Sequence, residues 1–274
     1  MPFSIRPYRR FPVHCSVTYN AGPFQGQGTV WNFSCTGWRL SGDQPRSLRF
    51  TIAVVLSIAC LAVPAWADGQ TGVDAYTRGD YATAEREWRP LAEQGNAAAQ
   101  YNLGVLYDRG QGVPQDDTQA RQWWEKAAVQ GDANAQLYIG TLYAFGRGGP
   151  QDYAAARQWF EKSAVQGHAN AQFNLGVLYD SGQGGPQDYA IALQWYEKAA
   201  AQGLAKAQFY LGRLYAYGEG RPHDLVKAQM WYSLAARTGY ETATGYRDDL
   251  AKQMTPAQIA EAHKLAQEWT PKAK

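Results

Sequence analysis

Residues 97–132 read AAAQYNLGVLYDRGQGVPQDDTQARQWWEKAAVQGD, and the chain repeats this line four times. The copies begin at Ala97, Ala133, Ala169 and Ala205, with no insertion or deletion between them. An unbroken period of 36 residues means a stacked array in which each unit buries its apolar face against its neighbours.

Each unit predicts two helices. Ala99, Leu103, Leu106 and Tyr107 fall at helical spacing, as do Ala135, Ile139, Leu142 and Tyr143 one period on. Gly104, Gly140, Gly176 and Gly212 interrupt this helix at a cost of about 1 kcal/mol each against alanine. Their recurrence implies a neighbour too close for a side chain. Gly110, Gly146, Gly182 and Gly218 end the helix at a left-handed position, and Pro114, Pro150, Pro186 and Pro222 prevent its resumption. Asp116, Asp152, Asp188 and Asp224 are placed to cap a second helix. In the first copy that helix buries Ala120, Trp123, Trp124, Ala127 and Ala128. The tryptophan that recurs in every copy makes Trp159, in a middle repeat, the expected buried anchor.

The motifs AQ-x-x-LG-x-LY-x-x-G, G-x-G-x-P-x-D and A-x-x-W-[WFY]-x-x-A together resemble the Sel-like repeat family, a relative of the tetratricopeptide repeat. The resemblance covers Asp74 to about Trp269. It implies an all-α, right-handed solenoid of helix pairs that binds other proteins and has no active site of its own.

Charge divides unevenly along the chain. Residues 1–67 hold six Arg and one Asp (+5), and residues 68–274 hold 20 Lys and Arg against 23 Asp and Glu (−3). A slightly acidic array lacks the basic footprint that nucleic-acid binding needs, so no nucleic-acid partner is expected. Cys15, Cys35 and Cys60 all precede the array, which therefore has neither a disulfide nor a thiolate metal site.

Residues 1–45 differ in character. Val13 to Tyr19 alternates like a strand, and Gly28–Asn32 and Trp38–Leu40 read as two more. Arg6-x-x-x-Arg10 and Asn32-x-Ser34-x-x-Gly37 lie among them. This opening resembles the first half of a PilZ domain, the bacterial cyclic di-GMP receptor. The resemblance implies that Arg6 and Arg10 grip phosphates and stack on guanine, while the Asn32, Ser34 and Gly37 turn reads the base; a guanidinium offers the fork and the flat face for this. A PilZ barrel needs about twice this much chain. A non-binding remnant and a cyclic di-GMP sensor with the array as its output arm both stay open.

Residues 46–67 have the form of an export segment. Arg46 and Arg49 precede an apolar run from Phe50 to Val63, and Ala65-Trp66-Ala67 has the small-residue form that signal peptidase accepts. Cleavage after Ala67 places the array in the periplasm or outside the cell. Uncleaved, the segment anchors the chain in the inner membrane through residues 50–66, with residues 1–45 cytoplasmic.

Five parts follow: a truncated β segment (1–45), the export segment (46–67), an N-terminal cap and part-repeat (68–96), four repeats (97–240) and C-terminal capping helices (241–274). The part-repeat has a short first helix without the LG-x-LY core. In the C-terminal part, Thr255 and Pro256 open the last helix.

Chemistry-bearing sets are sparse. His14, His168, His223 and His263 share no metal-ligand spacing, and turns such as Gly146-Arg147-Gly148-Gly149-Pro150 lack the GK[ST] ending of a phosphate loop. No nucleophile–base set appears. No enzyme activity, metal or cofactor is expected, and a monomer suffices. What remains is surface. Four columns of the first helix vary between copies: Asn102, Val105, Asp108 and Arg109; Tyr138, Thr141, Ala144 and Phe145; Asn174, Val177, Asp180 and Ser181; Tyr210, Arg213, Ala216 and Tyr217. By analogy with tetratricopeptide arrays these line a concave groove for a protein or peptide. Tyr138 with Phe145, and Tyr210 with Tyr217, are seven apart and share a helix face. Arg213 is expected to meet a partner's carboxylate.

Overall fold

The computed structural model describes residues 16–21, 24–29 and 69–271. From Gly69 onward it is a helical-repeat solenoid of twelve helices. A part-repeat, α1 (Gly69–Thr77) and α2 (Tyr81–Glu93), comes first. The four repeats follow as α3 (Ala97–Arg109) with α4 (Asp117–Val129), α5 (Ala133–Phe145) with α6 (Tyr153–Val165), α7 (Ala169–Ser181) with α8 (Tyr189–Ala201), and α9 (Ala205–Tyr217) with α10 (Leu225–Arg237). The last pair is α11 (Glu241–Ala251) and α12 (Pro256–Glu268). Each helix packs mainly on its neighbours in the chain, except that α12 folds back along α10.

Local chemistry sets the helix ends. The carboxylates of Asp116, Asp152, Asp188 and Asp224 each accept from a backbone N–H in the first turn of the second helix. Thr255 and Gln258 form a reciprocal capping box at the start of α12. The first helices stop at left-handed glycines, with Gly110 at φ 64°. The second glycine of the G-x-G turn has another task. A Cβ on Gly148 would stand 2.3 Å from the carbonyl oxygen of Asp117, so the turn lies directly on the second helix of the preceding repeat.

The interior glycines of the first helices seat a ring. A Cβ on Gly104 would fall 2.4 Å from the Trp124 indole, and one on Gly140, Gly176 or Gly212 would fall 2.7, 2.7 and 2.8 Å from the rings of Phe160, Tyr196 and Tyr232. Trp88 sits over Gly72 in the same way, so the part-repeat has this seat despite its short first helix. Trp124 Nε1 donates to the Tyr101 carbonyl at 3.0 Å, and Trp88 Nε1 to that of Gly69 at 3.3 Å.

This seat corrects the expectation for Trp159. The side chain on the glycine is its neighbour Phe160, which is buried, while Trp159 is only half-buried. The recurring tryptophan is buried at Trp123 and half-buried at Trp159, Trp195 and Trp231, and Trp159 packs beside the cluster of Trp124 and Ile139. Lysines three residues on lie over the ring faces, with Lys126, Lys162 and Lys198 Nζ at 3.9, 4.0 and 3.9 Å from the ring centroids of Trp123, Trp159 and Trp195.

Buried glutamines bind one repeat to the next. Gln100, Gln136 and Gln172 donate Nε2 to the carbonyls of Ala92, Ala128 and Ala164, in the second helix of the preceding unit, at 2.9, 3.0 and 3.1 Å. Their Oε1 atoms accept from Gln130, Gln166 and Gln202 at 2.7, 2.8 and 2.9 Å. In the fourth repeat Thr238 replaces the last of these donors, and Gln208 Oε1 has no hydrogen-bond partner among the described residues.

Near the N-terminus, β1 (Ser16–Ala21) pairs antiparallel with β2 (Phe24–Thr29), Ser16 opposite Thr29. The first overlaps the expected strand at 13–19; the second starts four residues before the expected Gly28. Arg6, Arg10, Asn32, Ser34, Gly37, the third expected strand, the apolar run at 50–63 and the Ala65-Trp66-Ala67 triad lie outside the described residues. Among the described residues, no helix is long and apolar enough to cross a membrane.

Candidate functional site

The variable columns of the first helices do two different jobs. Positions at 102, 105 and 108 of the first repeat, and their equivalents, point into the seams between repeats. Asn102 is buried and Asn174 half-buried. Tyr138 stacks on Trp124 with centroids 4.8 Å apart and tilts against Tyr101 at 6.1 Å. Tyr210 stands edge-on to Phe173 at 5.3 Å and packs against Tyr196 at 5.5 Å. Burial pushes the Tyr138 phenol up to about 12.

The acidic candidates are paired inside the array. Asp108 accepts from Arg147 Nη2 at 2.8 Å, and the same guanidinium binds Asp117 at 2.5 and 3.0 Å. Asp180 is buried; it accepts from Tyr196 Oη at 3.0 Å and is in ion-pair contact with Arg213. Burial keeps the Tyr196 phenol protonated well above its ordinary range, which suits it as the donor. Burial opposes the Arg213 charge, but Asp180, with Glu219 beside it at 3.8 Å, holds the guanidinium above its usual range. The carboxylate that Arg213 meets in this structure is thus Asp180, one repeat back.

The last column faces water. Phe145 is 72% exposed and Tyr217 66%. Arg109 is exposed as well, and its Nη1 donates to Tyr76 Oη at 3.2 Å. The two aromatic pairs therefore split: Tyr138 and Tyr210 enter seams, and the residues seven further on stand out. Smaller exposed side chains, Val129 and Val165, lie at the ends of second helices. His168, at a turn, has Nε2 3.2 Å from Asn134 Oδ1. Among the described residues, no group of three or more His, Cys, Asp or Glu side chains gathers as a metal site would require.

Two features escaped the reading of single columns. The glutamine pairs are thirty residues apart and recur with the period, which marks them as structural polar groups. The first-helix columns also alternate, since Asn-x-x-Val-x-x-Asp stands in repeats one and three and Tyr with Ala and an aromatic in two and four.

A family model described as the Sel1 repeat matches the chain at residues 97–132, 133–168, 169–204 and 205–240. Among solved structures, the chain is similar to a protective antigen present in uropathogenic Escherichia coli strains that displays an SLR fold. That match has 35% identity and a TM-score of 0.70, over 78% of this chain and 47% of the antigen. A Sel1 repeat protein from Oxalobacter formigenes matches at 33% identity and a TM-score of 0.64, over 72% of this chain and 84% of that one. The chain thus spans about half the length of the first relative and most of the second. No curated protein matches.

Proposed function

The chain belongs to the Sel1 repeat family, and on that premise we propose that this scaffold binds a protein or peptide across its first-helix face, with Phe145 and Tyr217 as anchors. The observation that carries the reading is their exposure on helices whose other large apolar side chains are buried or half-buried. Neither ring fills a seam, and exposed aromatics of this kind are where partner contacts concentrate. The two occupy equivalent positions two repeats apart, so a partner meets the same chemistry twice. Val129 and Val165 offer less area and no ring.

The proposal includes export, with which a cysteine-free array is compatible. The apolar run at 50–63 and the Ala65-Trp66-Ala67 triad support release into the periplasm.

Photo-crosslinkers at positions 145 and 217, in cells expressing the full chain, test the proposal. Adducts are expected from both positions and none from Glu125 or Glu161 on the second helices. Phe145→Ser with Tyr217→Ser should keep the melting temperature and weaken capture about tenfold or more. Equal adducts from both faces, or none at 145 and 217, would sink the reading. The crosslinked material should begin at Asp68 if export is right. Adding cyclic di-GMP should leave the adducts unchanged; a change favours the sensor built on Arg6 and Arg10.

A further inference from the structure

The fourth repeat departs from the other three on one side of its second helix. Gln122, Glu125 and Lys126 are exposed, as are their equivalents Gln158, Glu161 and Lys162, and Gln194, Glu197 and Lys198. The fourth repeat has Met230, Ser233 and Leu234 there, and none of the three is exposed; Leu234 is 1% accessible. A following first helix does not account for the cover, because every repeat has one. What α10 has in addition is α12, which lies along it. Trp269 of α12 meets Trp231 edge-on at 6.0 Å, whereas in the other repeats a lysine lies over the tryptophan.

α12 is held as a ligand is held. α10 is its one main neighbour, and it makes no comparable packing with α11. It follows a short connector, residues 252–255, and starts at its own capping box with Pro256 in the first turn, so no neighbour is needed to fix its start. Ile259, Ala262, Ala266 and Trp269 share one face, and Ala262 and Ala266 are buried, while Glu261, Lys264 and Glu268 are exposed. Arg237 Nη1 donates to the Ala266 carbonyl at 3.2 Å. The fit is incomplete. A cleft of about 460 Å³ remains between α10, α11 and α12, and among the described residues Gln229 Oε1 and Ser233 Oγ are sealed in without a hydrogen-bond partner. Polar groups buried in this way weaken the hold.

We propose that this face of α10, at Met230, Trp231 and Leu234, is a docking site for an amphipathic helix of another protein, and that α12 occupies it as a tethered competitor. The helix that fits repeats the pattern of α12: apolar at i, i+3, i+7 and i+10, small at the two middle positions and aromatic at the last. A short tether holds α12 at a millimolar effective concentration, so the site stays closed until α12 is released or outcompeted. The site is separate from Phe145 and Tyr217, so it stands or falls independently of the proposal for the first-helix face.

A fluorescein-labelled peptide of residues 254–271 is the probe, read by fluorescence anisotropy on the full chain. Ala266→Asp with Trp269→Ala opens the site and leaves every residue of α10 in place. The opened chain should bind the peptide at least about a hundredfold more tightly than the unaltered chain, since an occupied site lowers apparent affinity by its free fraction. Adding Met230→Gln and Leu234→Lys, which restores the polar face of the other repeats, should abolish that binding. Hydrogen exchange on the unaltered chain should show residues 256–268 opening ahead of α10. The proposal fails if the opened chain binds no peptide, if the polar face binds it as well, or if α12 exchanges only in concert with α10. An opened chain that loses the main melting transition of the array would make α12 an integral cap, which also overturns it. Dimers that form at rising concentration of the unaltered chain, and not of the opened one, would give the face to the α12 of a second copy and overturn the assignment to another protein.

Discussion

The seam between the second and third repeats shares a plan with the seams on either side but is finished differently. All three have the ring on its glycine, the G-x-G turn on the preceding helix, and a glutamine donating to a carbonyl of that helix. The first–second seam adds Tyr138 on Trp124 and Arg147 between Asp108 and Asp117. The third–fourth seam adds Tyr210 against Phe173 and Tyr196, Arg213 on Asp180, and Arg221 on Glu197. At the middle seam Asn174 replaces the tyrosine, Gln183 the arginine, and Ala144 and Tyr153 the two aspartates. Among the described residues, no ion pair crosses it. The lesson is that a 36-residue period in sequence conceals an alternation in how the seams are finished: the flanking seams carry ion pairs and a packed tyrosine, while the middle one relies on Gln172 and on Arg157 over the Tyr179 ring at 3.5 Å. In an array coupled mainly to nearest neighbours, such a seam is where cooperativity gives way first.

The largest expected effect sharpens the contrast between seated and reaching rings. Tyr196 is fully buried on Gly176 and holds Asp180, so Tyr196→Ala should cost about 3–5 kcal/mol in denaturant melts. Half-buried Trp159→Ala should cost about 1–2 kcal/mol. Equal costs would show that the glycine seat is not the anchor of the repeat.

A smaller change addresses the seams directly. Gln172 bridges the middle seam through the Ala164 carbonyl and Gln202, and Gln136 does the same work in a reinforced seam. Replacing either by Leu should cost about 1–2 kcal/mol by orphaning buried groups. Only Gln172→Leu should split unfolding into two transitions. If Gln136→Leu splits it as well, the ion pairs and stacked tyrosine add no coupling.

The smallest effect comes from transplanting the reinforcement. Ala144→Asp with Gln183→Arg reproduces at the middle seam the pairing of Asp108 with Arg147, and should add about 0.5–1 kcal/mol, less in high salt. A neutral or negative change in the melt at low salt would mean that Arg147 acts through packing rather than charge.

By itself the sequence determined the period, the two helices of each repeat, their glycine stops and their aspartate caps. These are local matters: a left-handed turn or a capped N–H involves residues within a few positions, so residue type and spacing state them directly. Tertiary structure alone decided which of two adjacent aromatics is seated, Phe160 rather than Trp159, because identity between copies reports that a column is needed and not how deep it lies. It alone decided that Asp108, Asp180, Tyr138, Tyr210 and Arg213 close seams while Phe145 and Tyr217 face water. It also left Gln229 without a donor beneath α12. In each case the deciding neighbour lies on another helix, about a repeat away in the chain, and only packing brings the two into contact.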